Sequence, residues 1–361
     1  MSKRLKKAYI LVKKHLLHYW QTSLWQKFVV IFLLFIFVIG TLMCSFGEYY
    51  IIQQSNQPIT LGVSFIPDYA SYLGLNPQQT MKALLKIGVR DFRLTSYWTD
   101  IEPTKGHYNF SQLDWEFKLA EKYHAKITLV LGLRQPNWPE CHIPNWATNE
   151  SSKTWQPQLY TVMKKVINQF KNSPSLQYYQ LENEYFLKGF GNCTNFSRKR
   201  LIHEFNLIKQ LDPHHQIIIG RSNNAIGLPI GQPQPNIFSI SIYRRVWDAS
   251  VTHLYLEYPY PSWYFAFLAE MQQIFEGKNM YIEELQAEPW TPNGLTITQT
   301  PLKVLNHALD AHQFQQNITF AKNTGMKTIM LWGAEYWYYL KVKYHDSSFW
   351  NVAKQEFKKA K

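Results

Sequence analysis

From Thr60 onward, short β-rich runs alternate with segments whose apolar positions recur at helical spacing. The run from Thr60 to Phe65 predicts a first strand. A helix follows, with Asn76 as N-cap, Pro77 in its first turn, Met81, Leu84 and Leu85 on one face, and Gly88 at its end. Asp91 to Trp98 predicts a second strand, and Leu113, Phe117 and Ala120 mark the helix behind it. Lys126 to Leu133 is almost wholly apolar, as strands covered on both faces tend to be. Leu159, Val162, Val166 and Phe170 form the next helical stripe. The fourth strand begins the stretch LQYYQLENEYF at Leu176, and its helix carries Leu201, Phe205 and Ile208. Runs at His215 to Gly220, Asn236 to Tyr243 and Asn279 to Gln286 supply strands five to seven. Thr300 and Pro301 open a helix with Leu302, Leu305 and Leu309 facing inward, and Lys327 to Trp337 holds the eighth strand and its loop.

Eight strands separated by helices or long loops over about 300 residues match the arithmetic of an α/β fold closed as a (β/α)8 TIM barrel. A doubly wound open sheet is the alternative. No repeat or Pro/Gly-rich linker divides residues 60–361, which are expected to form one domain.

The N-terminal region follows a different pattern. Phe28 to Phe46 is a run of 19 residues without a charge, long enough to cross a bilayer as a single transmembrane helix. Trp20 and Trp25 stand on one side of it, and Tyr49 and Tyr50 on the other. The chain carries a net charge of +13, of which +7 lies within the first 27 residues. The excess is therefore a tail, and it argues for a bilayer partner rather than a nucleic acid. Lysines ahead of the span place residues 1–27 in the cytoplasm and the barrel outside, in a single-pass arrangement at the cell membrane. Residues 47–59 are expected as a linker. A cleaved signal peptide is the rival reading, but its basic region would be unusually long and no small-x-small site follows.

Beyond the membrane, Cys141 and Cys193 lie in a compartment where disulfides persist. They fall in the loops after strands three and four, which are neighbours in a barrel, so a disulfide between them is expected. No Cys/His cluster has metal-ligand spacing, and the GFGNC segment lacks the third glycine of a dinucleotide fingerprint. Neither a metal nor an organic cofactor is expected.

In a barrel of this kind, catalytic groups sit where the strands end. Those ends hold Arg93 on strand two, Asn183 and Glu184 on strand four, Tyr243 on strand six, Glu283 and Glu284 on strand seven, and Trp332 on strand eight. An unpaired carboxylate is costly to bury, so acids at the ends of apolar strands call for a reason. Two facing carboxylates are the minimum equipment for cleaving a glycosidic bond. Aromatic residues make up 16% of the chain, more than a core of this size needs, and flat rings are what sugar faces stack on.

With these residues in this order, the segment from Thr60 to about Tyr339 resembles clan A of the retaining glycoside hydrolases. The Asn183-Glu184 pair, the YIEELQAEPW segment and the run RLTSYWTDIEPTKGHYNFSQLD carry the resemblance. It implies that Glu184 is the acid/base and Glu284 the nucleophile. It further implies that Arg93 and Tyr243 aim Glu284, that Asn183 grips the sugar 2-hydroxyl, and that Trp332 forms the platform under the reacting ring. Trp98 and Trp138 are candidates for outer subsites, and Glu335 either binds substrate hydroxyls or caps a loop. Glu182 falls on the same side as Glu184 by alternation and is expected to pair with a base. Only one of Glu283 and Glu284 can face the mouth by alternation, and Glu288 falls in the loop beyond. The implied function is a membrane-anchored retaining glycoside hydrolase acting on a β-linked oligo- or polysaccharide. A transglycosylase that remodels an envelope polysaccharide and a non-catalytic glycan-binding barrel are the competing readings.

Overall fold

The computed structural model describes residues 6–7, 9–15, 24–187, 191–193, 195–221 and 231–359. Most of the basic tail, with Lys3, Arg4 and Trp20, lies outside the described residues, as does Gly189 of the GFGNC segment.

Eight parallel strands close on themselves: β1 (Thr60–Phe65), β2 (Asp91–Leu94), β3 (Lys126–Leu131), β4 (Leu176–Leu181), β5 (Gln216–Arg221), β6 (Ile237–Ile242), β7 (Asn279–Gln286) and β8 (Thr328–Trp332). They follow one another in chain order around the ring, and β8 pairs with β1, Thr60 opposite Thr328. Closure excludes the open doubly wound sheet. The helices pack outside the ring, and their start and stop signals act as the sequence suggests. Asn76 Oδ1 accepts a hydrogen bond from the Gln79 amide at 3.0 Å, and Gly88 ends that helix at a φ of 110° that a side chain would resist.

Several strands are shorter than their apolar runs. β2 stops at Leu94 and the chain turns into a short helix, Trp98–Ile101; β4 stops at Leu181, before Glu182. The helix expected from Pro301 is two helices, Leu302–Ala308 and Ala311–Lys322. Asp310 breaks them apart by capping the second in a reciprocal box with Gln313. After β6 the chain makes an antiparallel hairpin, Arg245–Trp247 with Tyr255–Glu257, before the helix Ser262–Glu276 returns to β7. Asp248 shapes the hairpin turn by accepting from the amides of Ser250, Val251 and Thr252.

Among the described residues, one helix is long and apolar enough to cross a membrane: Leu24–Gln54, of 31 residues, with an 18-residue window of mean hydropathy 2.8, none of it buried in the protein. Residues 47–59, expected as a linker, remain helical as far as Gln54. The physical reason is a stripe at helical spacing. From Gly40 on, the positions shielded from solvent are Gly40, Met43, Cys44, Gly47, Tyr50, Ile51 and Gln54, and this face packs on the helix Ser262–Glu276. Any Cβ at Gly47 would collide with the Trp263 carbonyl, so glycine permits the close approach.

Two devices tie the exits of β3 and β4 together. Cys141 and Cys193 are joined by a disulfide, with their α-carbons 5.4 Å apart. Glu182 accepts from the amides of Leu133 and Arg134 at 2.9 and 3.1 Å. Arg200 reaches Glu182 at 2.5 Å and Glu204 at 2.6 Å, and all three side chains are at most 1% exposed. Removing the one cation would strand two buried acids. Arg200→Met is expected to destabilise the barrel by about 3–5 kcal/mol, measured as a loss in chemical denaturation.

Candidate active site

Residues paired across neighbouring parallel strands point to the same side of the sheet. Ser64 pairs with Arg93 and Arg93 with Thr128; Gly220 pairs with Ser239 and Ser239 with Tyr281. The Tyr281 hydroxyl lies 3.4 Å from that of Tyr178 on β4, across the barrel, so this set faces the interior.

Arg93 occupies the centre and is 1% exposed. Its Nε donates to Gln180 Oε1 at 2.6 Å and its Nη2 to Asn183 Oδ1 at 2.7 Å. Its Nη1 donates to Glu284 Oε1 at 2.7 Å and to Ser64 Oγ at 3.2 Å. Tyr243, directly after β6, donates its hydroxyl to the other Glu284 oxygen, Oε2, at 2.7 Å. Glu284 is thus gripped on both oxygens by groups from opposite walls.

The expectation that only one of Glu283 and Glu284 faces inward is corrected by a bulge in β7. Ile240 of β6 pairs with Ile282, yet Ser241 pairs with Glu284; on the other side Ile329 pairs with Ile282 and Leu331 with Leu285. The extra residue breaks the alternation, so both carboxyls enter the interior. Glu283 accepts from Ser239 Oγ at 2.7 Å and presses on Gly220, where any Cβ would collide with its carboxyl. Burial pushes the Glu283 carboxyl up to about 8, against the opposing pull of Arg93.

Asn183 and Glu184 lie just past the end of β4. Glu182 and Glu184 both take left-handed backbone conformations, φ 57° and 40°, a strain of about 1 kcal/mol or more each that the surrounding contacts hold in place. The turn also ends strand alternation, and Glu182 leaves the mouth to meet Arg200. Glu184 is buried, and burial together with the negative charge of Glu284 pushes its carboxyl up to about 7.

Sequence reasoning missed Glu140, in the loop after β3. Its Oε2 accepts from Asn183 Nδ2 at 3.1 Å and lies 3.6 Å from Arg134 Nε. Burial first, then the charge of Glu184, holds the Glu140 carboxyl well above the usual range. The signal for it was its place beside Cys141, whose disulfide partner follows β4. Glu288 was expected as a mere loop residue, but it fixes a ring: Trp332 Nε1 donates to one of its oxygens at 2.8 Å and the Tyr69 hydroxyl to the other at 2.8 Å. Burial pushes the Glu288 carboxyl up to about 7.

The aromatic candidates divide. Trp98 is a core residue, 1% exposed, with Nε1 donating to Glu102 at 2.9 Å and its ring packed edge-on against Trp146. It is not an outer subsite, because the short helix after β2 turns it inward. Trp138 is 60% exposed on the loop after β3, and Trp332 is half-buried at the mouth. Glu335 is 2% exposed and accepts from the Ile66 amide at 2.6 Å, which caps the exit of β1. Burial pushes its carboxyl up to about 8.

No protein-family model and no curated protein matches the sequence. Solved structures do resemble it. They include a β-galactosidase from the Antarctic haloarchaeon Halorubrum lacusprofundi, with a TM-score of 0.54 and 13% identity over 83% of this chain and 58% of that one. A GH42 β-galactosidase from G. stearothermophilus gives 0.53 and 12% over 84% and 56%. The exo-β-1,4-mannosidase Op5Man5 from an Opitutaceae bacterium gives 0.53 and 13% over 84% and 60%. This chain therefore spans less than two thirds of each of those proteins. At such identities the likeness is one of fold: the chain is a closed eight-stranded parallel barrel of the architecture these glycoside hydrolases share.

Proposed function

We propose that this protein is a membrane-anchored retaining glycoside hydrolase that cleaves a β-linked glycan. The observation that carries the reading is the grip of Arg93 and Tyr243 on the two oxygens of Glu284, 2.7 Å each, beside a second carboxyl, Glu184, pushed up to about 7. A carboxylate clamped this way is aimed as a nucleophile. A neighbouring carboxylic acid still protonated near neutrality is suited to give up a proton.

In the first step, Glu184 donates its proton to the glycosidic oxygen while Glu284 attacks the anomeric carbon, so the leaving sugar departs as an alcohol and a glycosyl-enzyme ester remains. In the second, the Glu184 carboxylate takes a proton from water, the water oxygen attacks the same carbon, and Glu284 leaves. Asn183 uses one amide hydrogen on Glu140, and the other is available to the sugar 2-hydroxyl. Trp332, held by Glu288, is placed to support the reacting ring, and the exposed Trp138 to stack on a more distant sugar. The apolar window within Leu24–Gln54 supports a single membrane span, with the basic tail in the cytoplasm and the barrel outside.

Protease added to intact cells should degrade the barrel and spare the tail; a protected barrel would reverse the topology. Because Glu184 must carry a proton, activity should fall as pH rises through about 7. Glu184→Gln should remove that limb and lower kcat/KM for glycosides with poor leaving groups by about 10²–10⁴-fold, while sparing kcat/KM for dinitrophenyl glycosides, whose leaving groups need no acid; their kcat should still fall, because the second step loses its base. Glu284→Ala should abolish turnover and, with azide filling the vacated space, yield an α-glycosyl azide. Glu184→Ala should instead yield the β-azide. A fluorosugar that labels Glu283 or Glu288 in place of Glu284 would overturn the assignment.

A further inference from the structure

The packing of the N-terminal helix sets the direction in which the barrel opens. The helix Ser262–Glu276 follows β6 and ends just before β7 begins at Asn279, so Trp263 lies at the mouth end and Glu276 at the base. Thirteen helical steps, 276 − 263, separate these two levels by about 20 Å. Gly47 abuts Trp263 and Phe267, whereas Tyr50 and Ile51 abut Gly325, in the turn that precedes β8 at the base. The N-terminal helix therefore descends from mouth to base as its numbering rises, and the residues ahead of Phe37, which opens the groove beside Trp263, project beyond the mouth.

The uncharged run ends at Phe46, one residue before the Trp263 contact, so no spacer separates span from barrel. The helix is continuous through this point, which makes the connection stiff. Trp263 flanks a groove with Phe37, Gly40, Thr41 and Cys44 and so sits at the depth where tryptophans favour a membrane interface. Loops on the same face carry bare apolar side chains. Val251 and Leu254, at the tip of the hairpin after β6, are 80% and 62% exposed, and Trp138, across the mouth on the loop after β3, is 60% exposed.

We propose that the mouth faces the outer surface of the bilayer and that the substrate is a glycan carried on a membrane lipid. The exposed hairpin tip dips into the interface, and the lipid holds the sugar within reach of Glu184 and Glu284. The substrate half rests on the glycosidase reading above, and the orientation half on the single membrane span.

The test uses the full chain in vesicles, in a Cys44→Ser background, with a fluorophore on Val251→Cys or on Asn279→Cys, and nitroxide-headgroup lipids as quencher. Quenching at least threefold stronger at position 251 is expected; equal or stronger quenching at 279 overturns the orientation. In parallel, β-glucosyl and β-galactosyl diacylglycerols are presented in the protein's own vesicles or in separate ones, with soluble aryl glycosides of the same sugars as controls. Cleavage at least tenfold faster in the shared vesicles is expected. Val251→Asp with Leu254→Asp should reduce it severalfold while leaving aryl glycosides unaffected. Aryl cleavage without any advantage for shared vesicles overturns the lipid-linked substrate. If no glycoside of either kind is cleaved, the glycosidase reading fails and takes the substrate half with it, while the quenching still decides the orientation.

Discussion

A guanidinium in the middle of a barrel is the constraint around which this site is organised. Taking Arg93 out of water costs several kcal/mol unless its donors are matched, and an unmatched buried charge would be among the most damaging defects a core can hold. The match comes from Ser64, Gln180, Asn183 and Glu284, contributed by the walls at β1, β4 and β7. Satisfying one cation therefore fixes the ends of β4 and β7, which carry the groups of the proposed chemistry, relative to each other. Glu284 gains a partner on one oxygen, and Tyr243 completes the grip from the β6 side.

The same economy governs the other acids. Glu140, Glu184, Glu283, Glu288 and Glu335 crowd the mouth and interior, and burial raises every one of them. With so few cations to offset them, neutral carboxyls are the cheaper state, and such carboxyls can donate as well as accept. This environment lets Glu184 act as an acid near neutrality. Glu182 escapes the crowd because the turn after β4 directs it to Arg200, where it ties two loops together.

Outside the barrel, the decisive contact is equally local. A glycine at position 47 lets two helices touch backbone to backbone, and that contact holds the long apolar helix against the barrel. A flexible linker would have left the two free to swing; the helix is instead continuous to Gln54 and packed along the helix Ser262–Glu276.

The sequence by itself determined the barrel, because strand and helix periods are written in near neighbours and all eight strands can be read from them. It also located Arg93, Asn183, Glu184, Tyr243 and Glu284, since strand ends are where a pattern of apolar residues gives way to polar ones. What it could not contain was the outcome of contacts between distant segments. The bulge in β7 arises from pairing with β6 and β8, and it brings in both Glu283 and Glu284 where alternation admits one. Trp98 and Trp138 are the same residue type near strand ends, yet one is walled in by Trp146 and the other stands in solvent. Glu140 has only its place beside Cys141 to mark it in the sequence, and its bond to Asn183, 43 positions away, is a product of the fold. Residues 47–54 read as a linker because their stripe has meaning only against the helix Ser262–Glu276. Local propensity settles which elements form, and tertiary packing decides which side chains they present to one another.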